Sequence, residues 1–352
     1  MEKRQKPVRI LIVDDSATIR TVLARALSAG GQIEVVGTAR DGIDACEQVA
    51  RLHPDVVTLD VEMPRMDGLA ALRQIMATAP VPVIMVSSLT KTGADMTLRA
   101  LELGAVDFVA KPLHAGVPAI HDILDELNEK ILAVAGRRLR RLSEPERRAP
   151  ARASGGWLRR AVVIGASTGG PKALMSVLTA LPGDLDAPVF VVQHMPPGFT
   201  RTLAERIEQL SPLRVEEARP GSRAERRKVF VAPGGFHMLL SANGEIRLEQ
   251  SAPECGVRPS VNVTMESVTA AWGSATLGVI LTGMGNDGTR GARIIRAAGG
   301  QVLAEHESTC AVYGMPKSVI DAGLADAIAP LQDMAGAIVD HCRTGSRMER
   351  SA

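Results

Sequence analysis

Short apolar runs rich in valine and isoleucine recur along this chain, separated by stretches with helical spacing. In the first half the runs fall at 9–13, 33–38, 56–59, 83–86 and 106–109, with helical patterns such as 18–27 and 67–76 between them. Runs this short, alternating with helices, are buried as parallel strands joined by right-handed crossovers. The rhythm resumes with runs at 161–165, 189–193, 214–217, 278–281 and 301–304, and helical patterns at 171–181, 199–209, 261–272 and 287–298. One antiparallel patch is expected, from 228–232, 237–241 and 245–250, because Asn243-Gly244 favours a tight hairpin turn. The halves share a rhythm but no sequence repeat. The fold class is therefore α/β, with two doubly wound parallel sheets.

The break between the halves is compositional. Residues 136–156 carry seven arginines and two prolines and almost no periodic apolar signal. This segment reads as an exposed, charged linker. The formal net charge of the whole chain, +2, is too balanced to argue for nucleic-acid binding. Cys46, Cys255, Cys310 and Cys342 form no C-x-x-C pair and no disulfide or metal framework, which fits reduced thiols in the cytoplasm. No stretch reaches the ~18 apolar residues that a membrane span needs, and the N-terminus lacks a signal h-region. The expectation is a cytoplasmic protein without membrane insertion.

Aspartates cluster at strand ends in the first half. Asp14 and Asp15 follow the first run, Asp60 the third, and Lys111 the fifth. A parallel sheet brings all four to its carboxyl edge. One aspartate there is ordinary turn chemistry, but carboxylates brought together repel unless a cation joins them, and oxygen ligands with open water positions suit Mg²⁺. A carboxylate beside Mg²⁺ and a lysine can attack a phosphoryl donor. The segments Ile10-Leu11-Ile12-Val13-Asp14-Asp15, Val57-Thr58-Leu59-Asp60-Val61-Glu62-Met63-Pro64, Val86-Ser87-Ser88 and Asp107-Phe108-Val109-Ala110-Lys111-Pro112 resemble response-regulator receiver domains. The resemblance implies a flavodoxin-like fold with Asp60 as phosphoacceptor. It implies Mg²⁺ held by Asp14, Asp15, Asp60 and the backbone carbonyl of Glu62, with Ser87, Phe108 and Lys111 as the switch residues. From the residues alone, Phe108 can equally be a core aromatic.

In the second half, Val162-Val163-Ile164-Gly165-Ala166-Ser167-Thr168-Gly169-Gly170-Pro171 breaks an apolar strand into a glycine turn, lifting the Ser167 hydroxyl onto a sheet edge. Such a serine needs a base and the base an orienting carboxylate. His194 follows the run 189–193, and Asp287 sits in Gly283-Met284-Gly285-Asn286-Asp287-Gly288. Each has a plainer role open to it: a phosphate cradle at 165–170, a structural histidine, a helix N-cap. The pattern also fits the G-x-S-x-G elbow, whose chain order of serine, acid and histidine favours His306 over His194. Spacing does not choose between the two histidines.

Together with Gln193-His194-Met195-Pro196, Ala232-Pro233-Gly234-Gly235 and Tyr313-Gly314-Met315-Pro316, these motifs resemble the catalytic domain of chemotaxis protein-glutamate methylesterases. The resemblance implies a Rossmann-like hydrolase domain with Ser167 as nucleophile, His194 as base, Asp287 as orienting acid and His306 as a bystander. It implies hydrolysis of glutamate γ-methyl esters, deamidation of glutamines, and no cofactor at the esterase site. The backbone N–H groups of Thr168 and Met284 are candidates for holding the oxyanion. The implied partners are methyl-accepting chemoreceptors as substrate and a chemotaxis histidine kinase as phosphodonor. The expected domains are a receiver at 1–135, a linker at 136–157, a catalytic domain at 158–345 and a tail at 346–352. One segment departs from the family pattern: a basic or aromatic-rich stretch with an aspartate is expected around 258–260, where this chain has Val257 before and Asn262 after. A DNA-binding output lacks support, since no compact helix-turn-helix with basic residues is visible. A docking scaffold, or an esterase for another sensory target, remains open.

Overall fold

The computed structural model describes residues 6–111, 117–135 and 160–343. It divides into two compact units, Met1–Leu142 and Ser143–Ala352. The expected linker at 136–157 and tail at 346–352 lie outside the described residues.

The first unit runs β1 (Val8–Val13), α1 (Ala17–Ser28), β2 (Ile33–Ala39), α2 (Gly42–Leu52), β3 (Val56–Asp60), α3 (Gly68–Thr78), β4 (Val83–Ser88), α4 (Lys91–Glu102), β5 (Asp107–Lys111) and α5 (Val117–Val134). Its five strands pair in the order β2-β1-β3-β4-β5, all parallel. Val13 pairs with Leu59 and Ser88 with Lys111, so the acidic positions and the lysine reach one edge. Helix starts follow side-chain chemistry: Asp41 accepts from the Ile43 and Asp44 N–H groups, and Asp67 from that of Ala70.

The second unit runs β6 (Ala161–Ala166), α6 (Gly170–Ala180), β7 (Val189–Gln193), α7 (Phe199–Glu208), β8 (Arg214–Glu217), β9 (Lys228–Val231), β10 (His237–Leu240), β11 (Ile246–Glu249), α8 (Val261–Trp272), β12 (Thr276–Ile280), α9 (Thr289–Ala297), β13 (Gln301–Glu305), α10 (Met315–Asp321), β14 (Ala327–Ala329) and α11 (Leu331–Cys342). Seven strands form one parallel sheet, β14-β13-β12-β6-β7-β9-β8. The chain leaves β6 toward β7 on one side and later returns to β12 on the other. That switch opens a crevice at the carboxyl ends of β6 and β12, where doubly wound sheets place ligands.

Two expectations are corrected. Residues 228–231 are not in the antiparallel patch; β9 lies parallel between β7 and β8, and only β10 and β11 form the hairpin. Burial on both faces of β9 explains this: the consecutive Val229, Phe230 and Val231 alternate between faces and are all completely buried, and the Phe230 ring stacks on Phe190 of β7 with centroids 5.8 Å apart. The last long helix of the crevice begins at Thr289 rather than Asp287, because Asp287 turns toward α8 instead of its own helix. Among the described residues, no helix is long and apolar enough to cross a membrane.

Gly165 sets how closely α8 approaches the sheet. A Cβ there would lie 2.5 Å from the Val261 Cγ1 atom at the start of α8. The stiff, β-branched valine cannot swing clear without moving the helix. Gly165→Ala is therefore expected to lower stability by about 1–3 kcal/mol, read as a lower urea midpoint with unchanged slope.

Candidate functional site

At the edge of the first sheet, the Lys111 ammonium donates to Asp14 Oδ2 at 2.9 Å and to Asp60 Oδ2 at 2.6 Å. Ligand oxygens of Asp14, Asp15 and Asp60 all lie within 4.8 Å of one another. Burial pushes the Asp60 carboxyl up to about 6, with Lys111 opposing and Asp14 and Asp15 adding to the rise. Burial works against the Lys111 charge, yet Asp60 and Asp14 hold its ammonium above the ordinary lysine range. A single lysine does not offset this acidic charge, and an all-oxygen donor set of this kind fits Mg²⁺. Glu62 follows β3 with its side chain exposed. Ser87 is fully buried, and its hydroxyl donates to the Gly93 carbonyl at 3.2 Å. Phe108 is buried; Lys130 donates to its carbonyl at 2.6 Å and stands 5.5 Å from its ring centroid. Phe108 is thus also a packed core aromatic.

In the second unit, β6 ends at Ala166 and Ser167 begins the turn into α6. The turn is pinned through its backbone: Ser167 N–H donates to the Thr282 carbonyl at 3.0 Å, and its own carbonyl accepts from Gly170 N–H at 2.7 Å and Gln193 Nε2 at 3.0 Å. The same Gln193 amide donates to the His194 carbonyl at 3.2 Å, tying the serine turn to the histidine that follows β7. Gly283 lies against this turn, with room for no Cβ: one would sit 2.8 Å from Ser167 Cβ and 2.4 Å from the Met315 sulfur.

His194 Nε2 meets Asp287 Oδ2 at 2.8 Å. Asp287 is 2% exposed. Its Oδ2 also accepts from Val261 N–H at 2.7 Å, and its Oδ1 from Ser260 Oγ and Asn262 N–H, each at 2.9 Å. Burial pushes this carboxyl up, but the hydrogen bond and charge of His194, with the Asn262 and Val261 N–H groups, outweigh it and hold it below the ordinary carboxylate range. A carboxylate in this grip fixes the imidazole as the tautomer with its proton on Nε2 and leaves Nδ1 as the basic nitrogen. The ring is thus turned in the opposite sense to the serine-protease template, where Nδ1 faces the acid.

His306 is brought to neither partner. It is exposed, and its Nδ1 faces the Ser308 hydroxyl at 2.8 Å. Among the described residues, the N–H groups of Thr168 and Met284 have no hydrogen-bond partner, which leaves both able to receive an oxyanion. Three residues have structural roles at this site that the sequence does not reveal. Gln193 ties the two turns together, and Ser260 and Asn262 hold Asp287. Their partners are 26 and 27 positions away or 25, and no local signal marks those roles.

A family model described as CheB methylesterase matches residues 162–338, and one described as response regulator receiver domain matches residues 10–121. The chain is 50% identical to a protein-glutamate methylesterase/protein-glutamine glutaminase of Symbiobacterium thermophilum, over 96% of this chain and 98% of that one. It is 44% identical to a protein of the same name from Geobacillus kaustophilus, over 95% and 98% of the two chains. Among solved structures it is similar to the Thermotoga maritima CheB methylesterase catalytic domain, with 45% identity and a TM-score of 0.51, covering 52% of this chain and 98% of that one.

The acidic cluster carries its own prediction. Asp60 titrates near 6 in the folded chain, above the ~3.9 of an unfolded aspartate. Its charge therefore costs stability in full above about pH 6 and costs nothing below about pH 4. Asp60→Asn is expected to stabilise the first unit by about 1–3 kcal/mol at pH 7 in a chelator. The gain, followed by thermal unfolding, is expected to shrink as pH falls toward about 4.

Proposed function

The chain belongs to the CheB methylesterase family, with a response-regulator receiver domain in front, and we propose that it hydrolyses glutamate γ-methyl esters on chemoreceptors under control of Asp60 phosphorylation. The observation that carries the reading is the His194–Asp287 pair at 2.8 Å beside a serine turn. The printed names of its relatives, protein-glutamate methylesterase/protein-glutamine glutaminase, supply the substrate class.

Ser167 Oγ attacks the ester carbonyl as its proton passes to His194 Nδ1. Asp287 keeps the Nε2–H in place and stabilises the imidazolium that forms. The tetrahedral oxyanion is met by the Thr168 and Met284 N–H groups, each such donor being worth about 2.7–4 kcal/mol in the transition state. Collapse of the intermediate expels methanol, which takes the proton from Nδ1 and leaves an acyl-serine. Water then gives a proton to Nδ1 and attacks the acyl carbon; as the acyl–Oγ bond breaks, Ser167 Oγ takes that proton back from Nδ1, and the glutamate leaves as its carboxylic acid, which ionises in water. A glutamine side chain enters the same route, with ammonia leaving in place of methanol.

In the receiver, Asp60 is the phosphoacceptor and Lys111 the cation that pairs with the incoming phosphoryl oxygens. Asp14, Asp15, Asp60 and the Glu62 carbonyl would hold Mg²⁺, which supplies charge neutralisation for phosphoryl transfer. Ser87 and Phe108 report the phosphoryl group to the rest of the unit. The phosphodonor is a chemotaxis histidine kinase, and the setting is the cytoplasm.

Methanol release from a methyl-esterified chemoreceptor tests the reading. It is expected to rise about 5–150-fold with a small phosphodonor, the range of a 1–3 kcal/mol coupling. It is expected to vanish in Ser167→Ala and to lose its phosphodonor response in Asp60→Asn. Methanol release that persists in Ser167→Ala would refute the assignment of the nucleophile.

A further inference from the structure

Helices begin with N–H groups that lack partners inside the helix. Neither α8 nor α9 caps its own start: Ser260 and Gly288, at their N-cap positions, make no side-chain cap bond. Each is capped by the other. Asp287, two residues before α9, accepts the Val261 and Asn262 N–H groups at the start of α8. Asn262, in the first turn of α8, returns its side-chain Oδ1 to the Gly288 and Gly291 N–H groups of α9, both at 2.9 Å. The two helices close tightly at this point, since a Cβ on Gly291 would lie 2.6 Å from Met265 Cβ. Arg290 adds an outer tie from α9 to Glu266 of α8 at 3.0 Å.

The exchange has a consequence for the hydrolytic site. Asp287 points at His194 only while the 286–291 segment stays docked on the start of α8. The Asn262 side chain docks the Gly288 and Gly291 N–H groups of that segment. Asn262 is 3% exposed and spends both faces of its amide on this junction, its Nδ2 reaching the Cys255 sulfur at 3.7 Å. We propose that Asn262 is a positioning residue for the acid of the triad, closing a reciprocal cap between α8 and α9 that aims the Asp287 carboxylate at His194 Nε2. The proposal rests on the reading of Ser167, His194 and Asp287 as that triad. What the junction requires at this position is a side-chain oxygen that accepts two N–H groups, which the Asn262 amide provides.

The test combines amide hydrogen exchange with methanol release by the full chain. In Asn262→Ala, exchange at Gly288 and Gly291 is expected to speed up and kcat to fall about 10²-fold with KM unchanged, as for a catalytic group displaced by about 1 Å. Asn262→Asp keeps an oxygen acceptor and is expected to restore both. If Asn262→Ala does not fold, Ser260→Ala takes its place. It removes the hydroxyl donated to Asp287 Oδ1 and is expected to lower kcat at constant KM. Faster exchange with kcat unchanged would reduce Asn262 to a helix cap and overturn the proposal, as would an Asn262→Asp variant as impaired as Asn262→Ala. A wild-type chain that releases no methanol would instead refute the underlying assignment of the triad, and the proposal with it.

Discussion

A buried carboxylate accepting four hydrogen bonds organises the second unit. Asp287 is almost fully out of water, and a charge there survives only because every lone pair finds a donor. His194, Val261, Asn262 and Ser260 are those donors. Three come from the start of α8, so the helix that stabilises the charge also sets its direction. The requirement reaches into the sheet: Gly165 lets α8 approach β6 closely enough for its first turn to meet Asp287.

The first unit solves the opposite problem. Its carboxylates share a single lysine, and Asp60 is left with a charge that burial opposes. Under-compensation leaves that edge suited to a cation, whereas the second unit's carboxylate has a donor for each of its bonds. Both use the same property of a parallel sheet, that every strand delivers its carboxyl end to one side. In the proposed function, the first edge takes up a transferable charge and the second performs hydrolysis.

Much of the architecture was legible because parallel strands are short, wholly apolar and bounded by helical spacing. Runs such as 189–193 and 214–217 coincide with β7 and β8. The strand at 228–231 was misplaced because four residues followed closely by a hairpin read as part of it; only its burial against Phe190 separates it. Ser167, His194 and Asp287 stand out locally as strand-end residues in glycine-rich turns. The choice between His194 and His306 was not legible, since chain order pointed one way and the family resemblance the other. The structure sets His194 against Asp287 and turns His306 to Ser308. Ser260, Asn262 and Gln193 were invisible as site residues because their roles exist only after distant segments meet. Asn262 drew notice only as a departure from a pattern, and Asp287 had a helix-cap role open to it. It does cap a helix, but a different one.

In the proposed mechanism the ionised Asp287 carboxylate orients His194 to activate Ser167. Its most direct test is the kcat of Asp287→Asn on a methyl-esterified receptor, with folding verified by circular dichroism. The amide keeps the shape but lacks the charge and one acceptor oxygen, so kcat is expected to fall about 10⁴-fold, as when a triad loses its orienting acid. A folded Asp287→Asn chain within a few-fold of wild type would mean that His194 is oriented by some other group, and the mechanism would fall.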